Sequence, residues 1–459
     1  MANIHLVGVG GTGLSAIATV LLQQGHTISG SDMAESVMIH RLEGLGGQIS
    51  IGHNASNLPD SLDAVIISSA IPDHNPELVE AKARNIPVFK RDAWLGRMMT
   101  GKIGIAIAGT HGKTTTTALM AYLLDEMGLD PTYIVGGFVP QLATNAKAGN
   151  GNSFVIEADE YDYMFLGLHP TLAIITMVEW DHPDIFATEA DFQQAFIDFT
   201  DRLPQNGLII GCGDDPGVRQ IFQASDRQSK TYGLADGNDW QAVDVRPNLH
   251  GGYDFKAVCH TAKAPVAPIP ISLRLPGLHN VANTLATLVV AYHQGLDLTK
   301  AAEILGTFEG VGRRFELKGE VNGLTIVDDY AHHPTEIRAT LQAARTRFGP
   351  RPIWALFQPH TFSRTLALFD EFVTAFSEAD HAILIDIFPS REKDEGLVSS
   401  QMLIDKMSHP DCHYLSSHQT AADYLIENLG ANDVLLTMGA GDGYQIGEQV
   451  LAHFQRNLS

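Results

Sequence analysis

A glycine-rich turn between an apolar run and a helical pattern is the feature that most constrains this chain. The run Ile103–Ala108 has the composition of a buried strand, and a lysine and a series of threonines follow the turn. Glycine amides in such a turn can close on phosphate oxygens, while a lysine supplies charge and a threonine hydroxyl can meet a metal ion. The predicted nucleotide ligands are Gly109, Thr110, His111, Gly112, Lys113, Thr114 and Thr115.

The spacing within this turn is shorter than in the common phosphate loop. Only Thr110 and His111 separate the two glycines, and Ile107 holds the position of the first glycine of the common loop. A glycine turn that merely joins a strand to a helix is the alternative interpretation. Gly-Lys-Thr at the opening of a helix after a buried strand is specific enough to favour a nucleoside triphosphate site.

Composition limits the classes of protein to which the chain can belong. Its 459 residues suggest about three domains at roughly 150 residues each. Fifty-three acidic against thirty basic residues give a net charge of −23, which argues against a nucleic-acid partner. The cysteines, Cys212, Cys259 and Cys412, are far apart and lack a metal-ligand spacing, so we expect reduced thiols in a cytoplasmic protein. We expect no signal peptide and no membrane-spanning segment.

Strand and helix patterns alternate along most of the chain. Strands are expected at residues 4–7, 27–31, 64–67, 87–89, 103–108, 154–156, 172–175, 207–210, 354–357, 382–387 and 434–438. Helices are expected from Leu14 and after Lys113, an antiparallel patch over 231–275, and a hairpin over 319–329 around Asn322-Gly323. The prediction is an α/β fold of three domains, each built on a mostly parallel, doubly wound Rossmann-like sheet, with a central P-loop ATPase-like domain.

A first glycine cluster follows the N-terminal strand. Gly8, Gly10, Gly11 and Gly13, with Asp32 nineteen residues after Gly13, fit a dinucleotide fingerprint, in which a pyrophosphate meets a helix N-terminus. A sugar nucleotide that carries a pyrophosphate satisfies the same physics as NAD, and a plain tight turn is the third interpretation.

Two acidic clusters follow two strands that are consecutive along the chain. Residues 157–162 contain four carboxylates, and residues 179–184 form the second cluster. Mutual repulsion makes such clusters costly without a cation, and Mg²⁺ is the natural cation beside a phosphate loop. Either cluster alone would be an ordinary solvated face.

Further polar side chains follow the later elements. Asn280 and Asn283 lie one helical turn apart and could meet a base edge, although capping by Asn280 is the simpler interpretation. Residues 313–316, 328–334 and 358–364 bring arginines and histidines to strand ends, where arginine suits a triphosphate or a carboxylate. The histidines lack the spacing of a structural zinc site.

Together these pieces resemble the Mur ligases, the ATP-dependent amino-acid ligases of peptidoglycan synthesis, over nearly the whole chain. The motifs that carry the resemblance are Gly8–Gly13, Gly109–Thr115, Glu157–Glu160, Asp181-His182, Gly277–Asn283, Gly312–Glu316 and Asp329–Pro334. The resemblance implies a UDP-sugar domain at 1–100, an ATP domain at 101–307, and a domain at 308–459 that closes over ATP and binds the amino acid. Within the family, the chain is most similar to the branch that joins L-alanine to the lactyl carboxylate of UDP-N-acetylmuramate through an acyl phosphate.

The resemblance also implies roles for individual residues. The catalytic residues would be Lys113, His182, His332 and Arg314, with His332 holding or deprotonating the amine. Asn280, Asn283, Arg314 and Asp329 would join the phosphate loop in binding ATP. Thr114 and Glu157 would hold one Mg²⁺ ion, and His182 a second. The UDP-sugar ligands would be Gly8, Gly10, Gly11, Gly13, Ser31, Asp32 and Ser69, and the amino-acid pocket Tyr330, His332, His360 and Arg364. Only small-molecule partners are implied, with a monomer or weak homodimer.

The sequence alone leaves other functions open. No lysine lies between Lys147 and Lys230, so the carbamylated lysine of several family members is absent, as the alanine-adding branch allows. Thr361 stands where that branch often has arginine, and residues 157–162 are also similar to the ligase that recycles a tripeptide onto UDP-N-acetylmuramate. A nicotinamide-dependent oxidoreductase and a non-catalytic UDP-sugar sensor are alternatives of other classes.

Overall fold

The computed structural model describes residues 1–261 and 266–456 of the chain. These residues form two compact units. The first contains Met1–Glu179, Gln193–Asp239 and Val289–Leu296, and the second contains the remaining described residues. Parallel α/β sheets supply the framework of both units.

The N-terminal sheet is fully parallel and lies in the first unit. Its strands are β1 (Asn3–Val7), β2 (Thr27–Asp32), β3 (Gln48–Ile51), β4 (Ala64–Ile67) and β5 (Val88–Lys90), in the order β3-β2-β1-β4-β5. Its helices are α1 (Thr12–Gln23), α2 (Val37–Gly44), α3 (Pro76–Ala83) and α4 (Arg91–Met98). The prediction gave no bounds for β3 or for α2, α3 and α4. Strand β3 was missed because it is short and only partly buried. The prediction also placed the start of α1 too late, since Gly13 lies inside the first helical turn.

The middle sheet in the first unit carries the phosphate loop. Its strands are β6 (Ile103–Ala108), β7 (Thr132–Val139), β8 (Thr144–Lys147), β9 (Ser153–Glu157), β10 (Leu172–Ile175), β11 (Leu208–Cys212) and β12 (Gln228–Gly233). They follow the order β12-β11-β10-β6-β9-β7-β8, and only β8 runs antiparallel. The helices of this region are α5 (Lys113–Glu126), α6 (Glu189–Thr200) and α7 (Pro216–Ala224). Residues 231–233, which we expected in an antiparallel patch, belong to parallel β12.

The antiparallel patch itself is confirmed in the second unit. It consists of β13 (Trp240–Pro247), β14 (Tyr253–Cys259) and β15 (Ile269–Leu273), and residues 262–265 of the predicted patch lie outside the described residues. Helices α8 (Leu278–His293) and α9 (Leu298–Thr307) follow.

The C-terminal sheet combines a hairpin with parallel strands. Its strands are β16 (Glu316–Val321), β17 (Leu324–Asp329), β18 (Ile353–Phe357), β19 (His381–Leu384), β20 (Cys412–Tyr414) and β21 (Val434–Met438). The order is β16-β17-β21-β18-β19-β20, and the β16–β17 pair is antiparallel. Its helices are α10 (Pro334–Phe348), α11 (Phe362–Ala367), α12 (Phe369–Val373), α13 (Ser400–Lys406), α14 (His418–Asn428) and α15 (Tyr444–Arg456). The predicted turn is present, with positive φ at Asn322 and Gly323.

The predicted fold class is therefore confirmed, with three mostly parallel sheets in α/β domains. Strand β19 ends three residues before the predicted position, and β20 was missed. Among the described residues, the helices are all too short or too polar to traverse a lipid bilayer.

A buried carboxylate ties the N-terminal sheet together. The side chain of Glu77 on α3 is fully buried and accepts hydrogen bonds from the hydroxyl of Ser31 (2.6 Å), the amide of Asn57 (2.6 Å) and the backbone N–H of Asn54 (3.1 Å). Burial raises the pKa of a carboxyl group, but here these bonds and a contact with His5 lower it to about 2. The anion therefore joins strand ends to the start of α3.

Replacing this carboxylate should destabilise the protein in a pH-dependent way. Because the folded pKa is about 2 and the ordinary value is 4.5, the stabilisation is fully present above pH 4.5 and is lost as the pH falls toward 2. We expect Glu77→Gln to lower the free energy of unfolding by about 3 kcal/mol at pH 7 and by roughly half of that at pH 3. Urea unfolding at both pH values measures this difference. Glu80→Gln on the same helix is the control, and equal losses at both pH values would contradict the assignment.

Candidate active site

The phosphate-loop turn is held open by its backbone conformation and by the neighbouring strand. Gly109 has a φ of +130°, and a Cβ there would lie 2.1 Å from the hydroxyl oxygen of Thr176. The N–H of Thr110 donates to the carbonyl of Met177 (2.8 Å), and the hydroxyl of Thr176 donates to the carbonyl of His111. Only glycine fits at position 109, so the turn keeps a shape that can surround an anion.

Lys113 is the charged centre of this turn. Its ammonium group donates to the carbonyl oxygens of Gly109 (2.6 Å) and Thr110 (3.1 Å) and to the carboxylate of Glu160 (2.9 Å). Burial alone would lower the pKa of Lys113, but the nearby carboxylates, with Glu160 first, raise it above its usual value. The lysine is therefore a fixed positive charge. We did not predict Glu160 as its partner, although it lies in the acidic cluster that the sequence singled out.

Thr114 and Glu157 bring oxygen atoms together beside this lysine. The threonine hydroxyl donates to Oε1 of Glu157 (3.0 Å), and the backbone N–H of Gly136 donates to Oε2 (2.8 Å). A Cβ at Gly136 would lie 2.3 Å from that carboxylate, so the glycine is required for the contact. A hydroxyl and a carboxylate at this distance are a donor set that suits Mg²⁺.

The first glycine cluster is anchored to β2. The N–H groups of Gly8 and Val9 donate to the carbonyl of Ser31 (2.8 and 3.0 Å), and the N–H of Gly10 donates to the carboxylate of Asp32 (2.8 Å). Asp32 therefore fixes the turn in this structure. The Ser31 hydroxyl is buried against Glu77.

The other predicted UDP-sugar ligands differ in their surroundings. Ser69 is exposed just after β4, and Gly11 precedes the first residue of α1. Gly13 lies against the side chain of Arg91, which occupies the space that a Cβ at position 13 would need. The sequence could not indicate that neighbour.

The two asparagines of α8 are buried and bonded to each other. Asn280 donates to the carbonyl of Pro276 (2.7 Å), and Asn283 donates to the side-chain oxygen of Asn280 (3.2 Å). Asn280 is the third residue of α8, so the simple N-cap interpretation is wrong.

A buried ion pair organises the polar cluster of the second unit. Arg364 donates to both carboxylate oxygens of Asp181, with Nε–Oδ1 2.8 Å and Nη2–Oδ2 3.2 Å, and both side chains are at most 5% exposed. Burial would raise the pKa of Asp181, but Arg364 holds it well below the usual range. Arg364 also donates to the carbonyl of His360 (3.0 Å) and contacts Nδ1 of His182 (3.4 Å). The predicted residues His182, His360 and Arg364 are thus brought together, whereas Asp181 as their anchor was not predicted.

Backbone strain occurs in the same cluster. His182 has a φ of +56°, in the left-handed region that non-glycine residues rarely adopt. The N–H of His182 donates to the carboxylate of Asp181 (2.7 Å), which helps to hold this conformation.

His332 is neutral at physiological pH. Burial lowers its pKa to about 3. The carboxylate of Glu336 opposes this shift, and the guanidinium of Arg364 adds to it. Its Nδ1 lies 3.0 Å from the carbonyl of Tyr330, which identifies Nδ1–H as the donor and leaves Nε2 as an acceptor. Such an imidazole is better suited to accepting a hydrogen bond than to taking up a proton. Burial likewise lowers the pKa of His360 to about 4.

Asp329 and Arg314 lie at the start of the C-terminal domain. The carboxylate of Asp329 accepts from the backbone N–H groups of Phe315 and Ala331 (both 2.7 Å), and burial raises its pKa to about 6. Arg314 lies 3.6 Å from the carboxylate of Glu336. Asp329 therefore shapes the segment that presents Arg314.

Substitution of Gly109 by alanine should damage the loop selectively. The new Cβ would combine an unfavourable positive φ with the 2.1 Å approach to Thr176, so we expect destabilisation of more than about 2 kcal/mol. Binding of an ATP analogue, measured by titration calorimetry, should be lost.

Gly101→Ala is the matched control. That glycine also has a positive φ, of +78°, but nothing lies within 4 Å of a Cβ there. It should cost about 1 kcal/mol and leave nucleotide binding unchanged. Binding of the analogue by Gly109→Ala with unaltered affinity would contradict the role of the loop.

Comparisons with known proteins cover the same regions. Three domain families match in chain order: "Mur ligase family, catalytic domain" over residues 3–103, "Mur ligase middle domain" over 107–291, and "Mur ligase, glutamate ligase domain" over 313–441. A UDP-N-acetylmuramate–L-alanine ligase of Geotalea uraniireducens is 43% identical over an alignment of 459 positions that covers 99% of each protein.

Solved structures extend this similarity to the fold. A UDP-N-acetylmuramate–alanine ligase, MurC, of Thermotoga maritima matches with a TM-score of 0.80 and 27% identity over 100% of both chains. A murein peptide ligase of Psychrobacter arcticus matches with a TM-score of 0.72 and 26% identity over 99% of both chains. As the sequence predicted, the chain belongs to the Mur ligase family.

Proposed function

We propose that this chain is an ATP-dependent ligase that joins L-alanine to the lactyl carboxylate of UDP-N-acetylmuramate. The observation that carries the proposal is the pairing of Thr114 with Glu157 beside the charged Lys113, on a chain 43% identical over its length to such a ligase. The reaction belongs to peptidoglycan precursor synthesis.

The chemistry requires activation of a carboxylate. A carboxylate and an ammonium ion do not condense in water, so ATP would convert the lactyl carboxylate to an acyl phosphate. The amine of L-alanine then attacks that carbonyl, and inorganic phosphate leaves. Positioning and charge neutralisation are the contributions of the protein. Lys113 would offset charge on the β- and γ-phosphates.

Thr114 and Glu157 would hold Mg²⁺. When bound, the ion would neutralise charge on the triphosphate and on the transferring phosphoryl group. His182 as the ligand of a second ion remains a prediction. The guanidinium of Arg364 contacts Nδ1 of His182. It carries positive charge, as a metal ion does, and competes with the ion for this nitrogen.

The C-terminal domain would supply the amino-acid pocket. Arg364, fixed by Asp181, is a suitable partner for the carboxylate of the amino acid. Neutral His332 would hold the amine by accepting a hydrogen bond from it, and its low pKa fits this role better than removal of a proton from the amine. Asn280, Asn283, Arg314 and Asp329 keep their predicted roles toward ATP.

The domain assignment is part of the same proposal. Residues 1–100 would bind the UDP-sugar, 101–307 ATP, and 308–459 the amino acid. We also propose that the protein is cytoplasmic and that it is a monomer or a weak homodimer. Its substrates would be small molecules.

A phosphate-release assay tests the reaction. Release should require ATP, Mg²⁺, UDP-N-acetylmuramate and L-alanine together, and a panel of amino acids should be less active than L-alanine. Release with the tripeptide but not with L-alanine would favour the recycling ligase instead. If no acceptor of the panel supports phosphate release, the proposal is rejected.

Lys113→Ala should reduce the rate of that release by at least about a hundredfold, because a fixed charge at the transferring phosphoryl group is removed. Lys147→Ala is the matched control, since that lysine lies in the same domain and pairs with Asp125 (2.6 Å). Equal rates for the wild type and Lys113→Ala would contradict the assigned role of the loop.

A further inference from the structure

We infer that Arg91 binds an oxyanion of the sugar nucleotide, either its diphosphate or its lactyl carboxylate, and so helps to place that substrate. This inference rests on the proposed function. The position of the guanidinium group, its partners and its surroundings carry it.

Arg91 occupies the space beside the first turn of α1. Its Nη1 lies 2.1 Å from where a Cβ of Gly13 would be, and Cδ and Cζ lie 3.1 Å from that point. Gly13 is helical and has no positive φ, so its backbone conformation does not require glycine. The approach of the arginine is therefore a physical reason for glycine at this position. A guanidinium group is thus placed two residues from the end of the Gly8–Gly11 turn.

The protein groups that meet this guanidinium are weak partners. Nη2 lies 3.4 Å from the carboxylate of Asp159, whose side chain is 44% exposed. Nε (3.2 Å) and Nη2 (2.5 Å) both donate to the thioether sulfur of Met164, and thioether sulfur is a poor acceptor. An arginine has five N–H donors in a planar fork, and phosphate or carboxylate oxygens are the acceptors that match them. The side chain itself is 24% exposed, so a ligand can reach it.

Arg91 also lies between two sites that one substrate has to reach. On one side is the glycine turn of the N-terminal sheet, which would hold the pyrophosphate. On the other is Asp159, next in sequence to Glu160, which pairs with Lys113 of the phosphate loop. A sugar nucleotide that extends from the first site toward the second would bring its oxyanions near this guanidinium.

A purely structural role explains these contacts less well. An ion pair with an exposed carboxylate contributes little to stability. A cation next to a helix N-terminus is also unfavourable, because that end of the helix carries partial positive charge. An anion of the substrate bound at this point would offset that cost.

Steady-state kinetics of Arg91→Ala test the inference. The KM for UDP-N-acetylmuramate should rise by about tenfold to a hundredfold, as expected when a charge-assisted hydrogen bond is lost. The KM values for ATP and L-alanine and the melting temperature should stay near those of the wild type. Arg91→Lys should recover part of the loss, because it keeps the charge but not the fork.

Two further variants separate binding from folding. Gly13→Ala should raise the same KM, because the new methyl group displaces the guanidinium of Arg91. The end of the Arg91 side chain is flexible and can move without unfolding the helix. Arg97→Ala is the control on the same helix, where the guanidinium lies over the ring of Phe89 at 4.3 Å. It should leave the KM for the sugar nucleotide unchanged.

Calorimetric titration without ATP identifies the oxyanion. If Arg91→Ala weakens binding of UDP, UDP-N-acetylglucosamine and UDP-N-acetylmuramate alike, the ligand is the diphosphate. If only UDP-N-acetylmuramate is affected, the ligand is the lactyl carboxylate. Folded Arg91→Ala that binds all three as tightly as the wild type overturns the inference. A wild type that binds these nucleotides but releases no phosphate with any acceptor would reject the proposed function and leave the role of Arg91 in binding testable.

Discussion

The parallel pairing of β6 with β9 is the interaction on which the proposed nucleotide site depends. Its register places Ile107 opposite Glu157, and the N–H of Ala158 donates to the carbonyl of Ile107 (2.8 Å). Because both strands end at the same edge of the sheet, the loop that carries Lys113 and the acidic cluster meet there. A shift of this pairing by one residue would move Glu157 to the other face.

Buried ion pairs then fix the charged groups of each unit. Lys113 pairs with Glu160 in the first unit, and Arg364 pairs with Asp181 in the second. Burying such pairs costs desolvation energy, and apolar residues of similar volume are often at least as stabilising. Their presence at strand ends is therefore better explained by the need for oriented charges than by stability. Glu77 serves the N-terminal sheet by joining β2 and the loop after β3 to α3.

Much of the fold was readable from apolar periodicity. Strands β10 and β21 match their predicted bounds, and the Asn322-Gly323 hairpin is present. Short or partly buried strands, such as β3 and β20, were missed because their apolar signal is weak. The late start assigned to α1 has another cause, since glycine at position 13 looks like part of a turn until Arg91 is seen beside it.

The sequence by itself determined the α/β class, the three domains, the phosphate loop and the family, because these depend on local patterns and motif spacing. Only the tertiary structure decided which charges meet. Glu160 with Lys113, Gly136 with Glu157, and Asp181 with Arg364 are separated by 47, 21 and 183 residues. It likewise decided that His332 is neutral, since a pKa depends on burial and on charges brought near by folding. Contacts between residues so distant along the chain are set by strand order and register, which local sequence patterns do not encode.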